Sequence, residues 1–144
     1  MTANLMTKDF VYNFINGYNL GVISTISPNL KPEAALIGIA VSTDMEIVFD
    51  TVKTSRKYHN ILKNPFVAVV IGWNNEITVQ LEGKATVLTG TDEYLKEIYF
   101  DVYPDGRERA KSWPDIVHLK ITPAWIRYSD FNEPVVINEM NSPF

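Results

Sequence analysis

Apolar and polar positions change their spacing several times along the chain, and each change marks an element. Phe10, Val11, Phe14 and Ile15 recur at helical spacing. Thr7 before them can cap and Gly17 after them suits a helix stop, so a helix is predicted over residues 7–16. "NLGVISTIS" at 19–27 reads as a strand closed by the turn-rich "SPNLKP" at 27–32. Further strands are predicted at 33–41 and 46–51, joined by residues 42–45, a hairpin length. A short helix follows at 55–63 and ends at Asn64-Pro65, because the residue before proline is pushed out of the helical region.

The period then changes to two. "FVAVVIG" at 66–72 is apolar throughout, which predicts a strand buried on both faces. "EITVQLEGKATVL" at 76–88 alternates, with Ile77, Val79, Leu81, Ala85 and Val87 on one face and Thr78, Gln80, Glu82, Lys84 and Thr86 on the other. It is longer than most strands, so a bend or bulge is expected near Gly83. An acidic start and the spacing of Tyr94, Leu95, Ile98 and Tyr99 predict a helix over 92–103, stopped by Pro104-Asp105-Gly106. Residues 115–130 read as one or two strands interrupted at Pro123, and the last fourteen residues, 131–144, hold "PVVI" without a clear element. Many short strands with a few helices give an α+β class. The architecture expected is a small antiparallel β-barrel with short flanking helices, in one domain over 1–144.

Composition narrows the chemistry. With 46% apolar and 21% charged residues the 144-residue chain is expected to be soluble and globular. A net charge of −4 argues against broad nucleic-acid binding, so a basic site has to be local. Cysteine is absent, which removes disulfides, thiolate metal sites and a cysteine nucleophile together. The opening "MTANLMTKDF" lacks a signal-peptide pattern and no apolar run reaches membrane-span length. A cytoplasmic location is therefore expected.

One local basic site stands out. Thr51, Thr54, Ser55, Arg56 and Lys57 crowd where the second helix begins, and cations there oppose the positive end of the helix dipole. An oxyanion would resolve this, held by unpaired backbone N–H groups, the Thr51 and Ser55 hydroxyls and the two cations. That chemistry suits a phosphate monoester. A solvated helix face with ordinary caps explains the same residues, and the stretch lacks the glycines of a P-loop.

Taken in order, a strand ending "FDT", a short loop, "TSRK", a helix, "NP", an apolar strand and an alternating strand ending "EG" resemble the pyridoxamine 5′-phosphate oxidase-like family. The resemblance covers roughly residues 20–90, and its most specific part is the "SRK…NP" spacing after a strand. It implies an FMN-binding split barrel, generally a homodimer with the flavin at the subunit interface. Carried over by position, Arg56 and Lys57 match the phosphate-binding pair, and Thr51, with Asp50 beside it, matches the strand end near the phosphate. Ala35, Leu36, Ile37 and Gly38 match the strand whose backbone follows the isoalloxazine ring. Ala35 and Ala40 stand where the oxidases carry basic residues, and Gly38 admits either a close ring or a bulge. The amide position that contacts the ring falls on Thr78, with Gln80 two residues on and facing the same way. A plain polar face accounts for both equally.

The oxidases end in a basic signature that recognises their substrate, whereas "WIRYSDFNEPVVINEMNSPF" holds Arg127 as its one strong cation. The resemblance therefore points to a smaller relative and not to the oxidase itself. His59 lies three residues after Arg56, within reach of a phosphate or simply on the surface, and His118 sits in an alternating strand as a structural histidine would. Two histidines without cysteine make a transition-metal site unexpected. Trp73, Trp113 and Trp125 read as core or interface aromatics, or as a wall over a flavin for the latter two, and Arg107, Arg109 and Lys111 as a substrate entrance or a solvated loop. No acid–base constellation is present, but a flavin performs its own redox chemistry, so no catalytic residue is named. The reading is an FMN-dependent oxidoreductase acting on a small molecule. Its alternatives are a flavin-holding sensor or carrier, or a barrel binding haem or a deazaflavin.

Overall fold

A computed structural model describes residues 6–144, so the first five residues of the stretch scanned for a leader lie outside the described region. Strands β1 (Leu20–Ile26) and β2 (Pro32–Gly38) form a hairpin in register from Leu20↔Gly38 to Ile26↔Pro32. Strand β5 (Phe66–Ile71) pairs on the other side of β1, and β6 (Ile77–Val87) pairs on β5. Beyond them come β7 (Ile116–Asp130), then β4 (Ile47–Val52) and the two-residue β3 (Ala40–Val41). The order is β2-β1-β5-β6-β7-β4-β3, antiparallel throughout, with β8 (Val136–Asn141) added on β7. The sheet curls until β2 approaches β4, a split antiparallel barrel.

Its concave face carries the main core, which includes Ile23, Phe49, Ile71, Leu81 and Leu119. Helix α1 (Lys8–Asn16) plugs one mouth with Val11 and Ile15, and the Thr7 hydroxyl accepts from the Phe10 N–H as its cap. Helix α2 (Arg56–Lys63) packs on β1 and β6. Helix α3 (Leu95–Val102) covers the outside of β3 and β4, where Ala40, Val48, Leu88, Leu95, Tyr99 and Phe100 form a second, smaller core, and α4 (Pro104–Ser112) packs on α3 and β7. Among the described residues no helix is long and apolar enough to cross a membrane.

Several expectations are corrected. β5 is not buried on both faces: Val67, Val69 and Ile71 point inward, while Phe66, at 59% exposure, and Val70, at 39%, point out. The strand expected at 33–41 is split at Ile39 into β2 and β3. The helix before Pro104 ends as expected, at Val102, but Pro104 also opens a further helix, α4, because proline at the first helical position sacrifices an N–H that has no partner anyway. The preceding helix starts later than expected, at Leu95, after a short 3₁₀ turn over Gly90–Asp92. Residues 131–144 do contain an element, β8.

Pro123 does not break its strand either. β7 runs through it by a register shift, with Glu82 opposite Trp125 and Gly83 opposite Pro123, which leaves Ala124 as the extra residue of a bulge. The backbones come close there: a Cβ on Gly83 would lie 2.2 Å from the Thr122 carbonyl oxygen and 2.9 Å from Pro123 Cα. Rigid backbone cannot yield as a side-chain tip does. Gly83→Ala is therefore expected to lower stability by about 2–3 kcal/mol in denaturant unfolding, without loss of the unfolding cooperativity.

Candidate cofactor-binding site

The alternation of β4 turns Phe49 and Thr51 toward the barrel interior and Val48 and Asp50 toward α3. At the end of β4 the chain turns through 53–55 into α2, and two hydroxyls meet. Thr51 Oγ1 donates to Ser55 Oγ at 2.9 Å, and Ser55 Oγ accepts the Tyr58 N–H at 3.2 Å as the helix cap. Arg56 and Lys57 follow in a first turn that holds no acidic residue. Across from them on β2, Glu33 supplies the missing charge: its Oε2 is 3.2 Å from Arg56 Nη1. Its Oε1 accepts from Asn60 Nδ2 at 2.8 Å, and Asn60, itself buried, also donates to Thr25 Oγ1 at 2.9 Å. Thr25, Glu33, Ala34, Ala35, Arg56 and Lys57 enclose a cleft of about 110 Å³. Burial pulls the Lys57 ammonium below its ordinary range, with the Asp50 carboxylate acting the other way.

Of the residues singled out from the sequence, Ala35, Thr51, Ser55, Arg56 and Lys57 come together around this turn, with Asp50 flanking Lys57 from the far face of β4. Leu36 points away on the convex face at 61% exposure, and Ile37 is buried. β2 pairs with β1 alone among the described strands, so one edge of its backbone is free beside the cleft. Thr78 and Gln80 are not brought to that edge. Leu36, Val22, Val70 and Gln80 form one row across β2, β1, β5 and β6, which sets Gln80 three strands, roughly 14 Å, from β2. Thr54 and His59 are exposed.

Gly38 meets a ring from its own chain. Tyr103, between α3 and α4, lies where a Cβ on Gly38 would be, 2.8 Å from its Cζ, and its hydroxyl donates to the Asn19 carbonyl. Beside it Arg109 of α4 reaches Asp50 Oδ2 at 3.4 Å, while Arg107 pairs with Glu97 and Lys111 with Glu108. The stretch read as an entrance or a loop is thus a helix docked by one arginine. Asp50 and His118 are direct cross-strand partners. The His118 ring is buried edge-on against Tyr99 and Phe100, at 5.6 and 5.3 Å between centroids, and its Nε2 has no hydrogen-bond partner. Burial lowers its pKa, opposed by Asp50, and burial together with Asp50 raises that of Tyr99. Trp73 and Trp113 are each 51% exposed, and Trp125 donates its indole N–H to Glu139 at 2.9 Å on the convex face, so no tryptophan is in the core.

The family model described as Pyridoxamine 5′-phosphate oxidase matches residues 7–130. The chain belongs to that family. A pyridoxine/pyridoxamine 5′-phosphate oxidase of Ehrlichia ruminantium (strain Welgevonden) is 32% identical over 90 residues, which cover 62% of this chain and 46% of the relative. The chain thus spans less than half the length of the curated relatives it matches. Among solved structures, a heme binding protein from Mycobacterium smegmatis superposes with a TM-score of 0.82 at 12% identity, over 96% of this chain and 60% of that one. A pyridoxamine 5′-phosphate oxidase-related, FMN binding protein from Nostoc punctiforme PCC 73102 does so at 0.61 and 13%, over 85% and 86%. At such identities the likeness is one of fold.

Within this family member, Glu33, Asn60 and Tyr103 are the site neighbours that reading the sequence missed, while Arg109, read as entrance or loop, pairs with Asp50. Asn60 carried a usable signal: it stands four residues after Arg56, on the same helix face, where a buried amide needs polar partners. Glu33 is 23 residues from Arg56, and no local pattern joins them. The His118 environment generates a pH effect. Its folded pKa lies below the ordinary 6.5, so the unfolded chain binds the proton more tightly and stability falls as pH drops from about 6.5 through the folded value. Thermal melts at about pH 7.5 and 5.5 should show a smaller acid-induced drop for His118→Phe than for the wild type.

Proposed function

We propose that this chain binds FMN and serves as a flavin-dependent oxidoreductase for a small molecule, working as a homodimer. The observation that carries the reading is the turn into α2, where two hydroxyls, two cations and a helix N-terminus converge beside the free edge of β2. These donors fit a phosphate: Thr51 and Ser55 as hydroxyl donors, Arg56 and Lys57 as charge-assisted ones. Along Ala35, Leu36, Ile37 and Gly38 every second residue turns its backbone N–H and C=O away from β1, and these groups are available to the polar edge of a planar ring. The flavin, when bound, supplies hydride or electron transfer, and the protein supplies binding, orientation and control of access. Family membership and the FMN binding neighbour support this cofactor. The haem alternative finds less support in the donors, since His59 is exposed on α2 and His118 is packed between two rings.

The convex face supports the dimer. Leu36, Val22 and Val70 run in a row across three strands, Phe66 lies on the same face four residues along β5, and Leu36, Phe66 and Val70 are all exposed. An apolar sheet face of this kind is the usual substrate for burial against a second copy. The distance of Gln80 from β2 agrees, because in a two-fold assembly the Gln80 and Thr78 of one protomer can serve the flavin of the other.

An absorption spectrum of the purified protein, with mass analysis of what heat releases, is the direct test. About one FMN per chain is expected; a colourless protein that takes up no added FMN overturns the reading. Arg56→Ala with Lys57→Ala removes two charge-assisted contacts, each worth ~1.5–3 kcal/mol, so FMN affinity should fall by at least about 100-fold with the melting temperature nearly unchanged. Val70→Glu places a charge in the apolar row and should shift the protein to monomer in light scattering, with loss of flavin retention.

A further inference from the structure

The cleft at the α2 turn already holds an anion that belongs to the chain. Arg56 and Lys57 bring two positive charges, Glu33 brings one negative, and the net charge is a single positive. A phosphate monoester carries about −1.5 to −2 near neutral pH. A carboxylate and a phosphate that share one guanidinium repel each other, so the phosphate meets a site half neutralised before it arrives. Glu33 is also held in place from its other side. Asn60 is buried, anchored to Thr25 Oγ1 at 2.9 Å and bonded to Glu33 Oε1 at 2.8 Å, so the carboxylate keeps a partner even when Arg56 lets go. Arg56, by contrast, has 75% of its side chain exposed and can swing between two acceptors.

We propose that Glu33 is a resident competitor for the cofactor phosphate, an affinity-setting residue that keeps FMN exchangeable instead of permanently held. The proposal rests on the flavin-phosphate reading above and adds a direction to it. Binding exchanges an Arg56–carboxylate pair for an Arg56–phosphate pair, and only the difference between the two appears as affinity. Removal of the Glu33 charge should therefore tighten binding of the phosphorylated flavin and leave the unphosphorylated one unaffected. If Glu33 instead acts as a brace that orients Arg56, its removal should weaken FMN binding. The sign of the effect separates the two roles.

The test is a fluorescence titration of the full-length protein with FMN and, separately, riboflavin, on the wild type, Glu33→Gln and Glu33→Asp. The glutamine keeps an oxygen for Asn60, and the aspartate keeps the charge. The expected result is FMN binding about tenfold tighter for Glu33→Gln, no tightening for Glu33→Asp, and riboflavin affinity the same in all three. Glu33→Ser repeats the measurement should the glutamine variant melt early. FMN binding that is unchanged or weaker without the charge overturns the proposal, as does equal tightening for riboflavin. In either case the flavin reading stands as long as Arg56→Ala with Lys57→Ala still loses FMN. Failure of every protein, wild type included, to bind FMN overturns the flavin reading and this proposal with it.

Discussion

Strand β7 is shared by three partners, and the geometry of the molecule follows from where that sharing changes. Its first part, Ile116–Ile121, pairs with β4 and from Leu119 onward also with β6, and its last part, Trp125–Asp130, lies between β6 and β8. The changeover falls at the bulge, where Ala124 is extra and Gly83 gives the backbones room. A bulge adds twist and bends its strand, so the two halves of β7 face different ways. One half carries β4 round toward β2 and closes the barrel, and the other extends the convex face. The α2 turn hangs from the end of β4, so its position relative to β2 is inherited from this one irregularity.

Two of the four described α-helix starts, those of α1 and α2, were legible because their signals are local. Thr7 and Ser55 each cap the helix that follows through a bond spanning three residues, the kind of contact sequence spacing reveals. The limits have physical causes as well. Phe66 and Val70 look like core residues because an exposed apolar face and a buried one use the same side chains. Pro104 can stop one helix or start the next, and α4 is polar on nearly every side, so periodicity could not separate the cases. Of the site, the turn itself was readable. The Glu33–Asn60–Thr25 chain was not, because it joins three elements through single side chains. Gly38 was read as admitting either a flavin ring or a bulge, and the group the structure puts beside it is the Tyr103 ring.

Two charged clusters meet at β4 with its strand between them. On the inner side Thr51 leads to the basic turn and its resident glutamate; on the outer side Asp50 gathers Arg109, Tyr99 and His118 beneath the helical cover. Lys57 feels both, since burial lowers its pKa while Asp50 opposes the shift. The docking of α4 and the electrostatics of the turn are therefore linked through one carboxylate, and a change in either side alters the field at the other.

The pairing of Thr51 with Val117 also dictates when the site can exist during synthesis. β1 and β2 are neighbours in sequence and can pair as soon as they are made. Among the described strands β4 pairs only with the two-residue β3 and the late strand β7. Contacts so distant along the chain close slowly, because the loop entropy has to be met before the pairing rewards it. A chain that stops short of β7 already holds the Asn60 bonds from α2 to Thr25 and Glu33, but it lacks the long strand that fixes β4, and with it Thr51, beside the turn. The full cluster of hydroxyls and cations thus needs the pairing of β4 with β7, whereas the Asn60 bonds among α2, β1 and β2 need only residues made earlier.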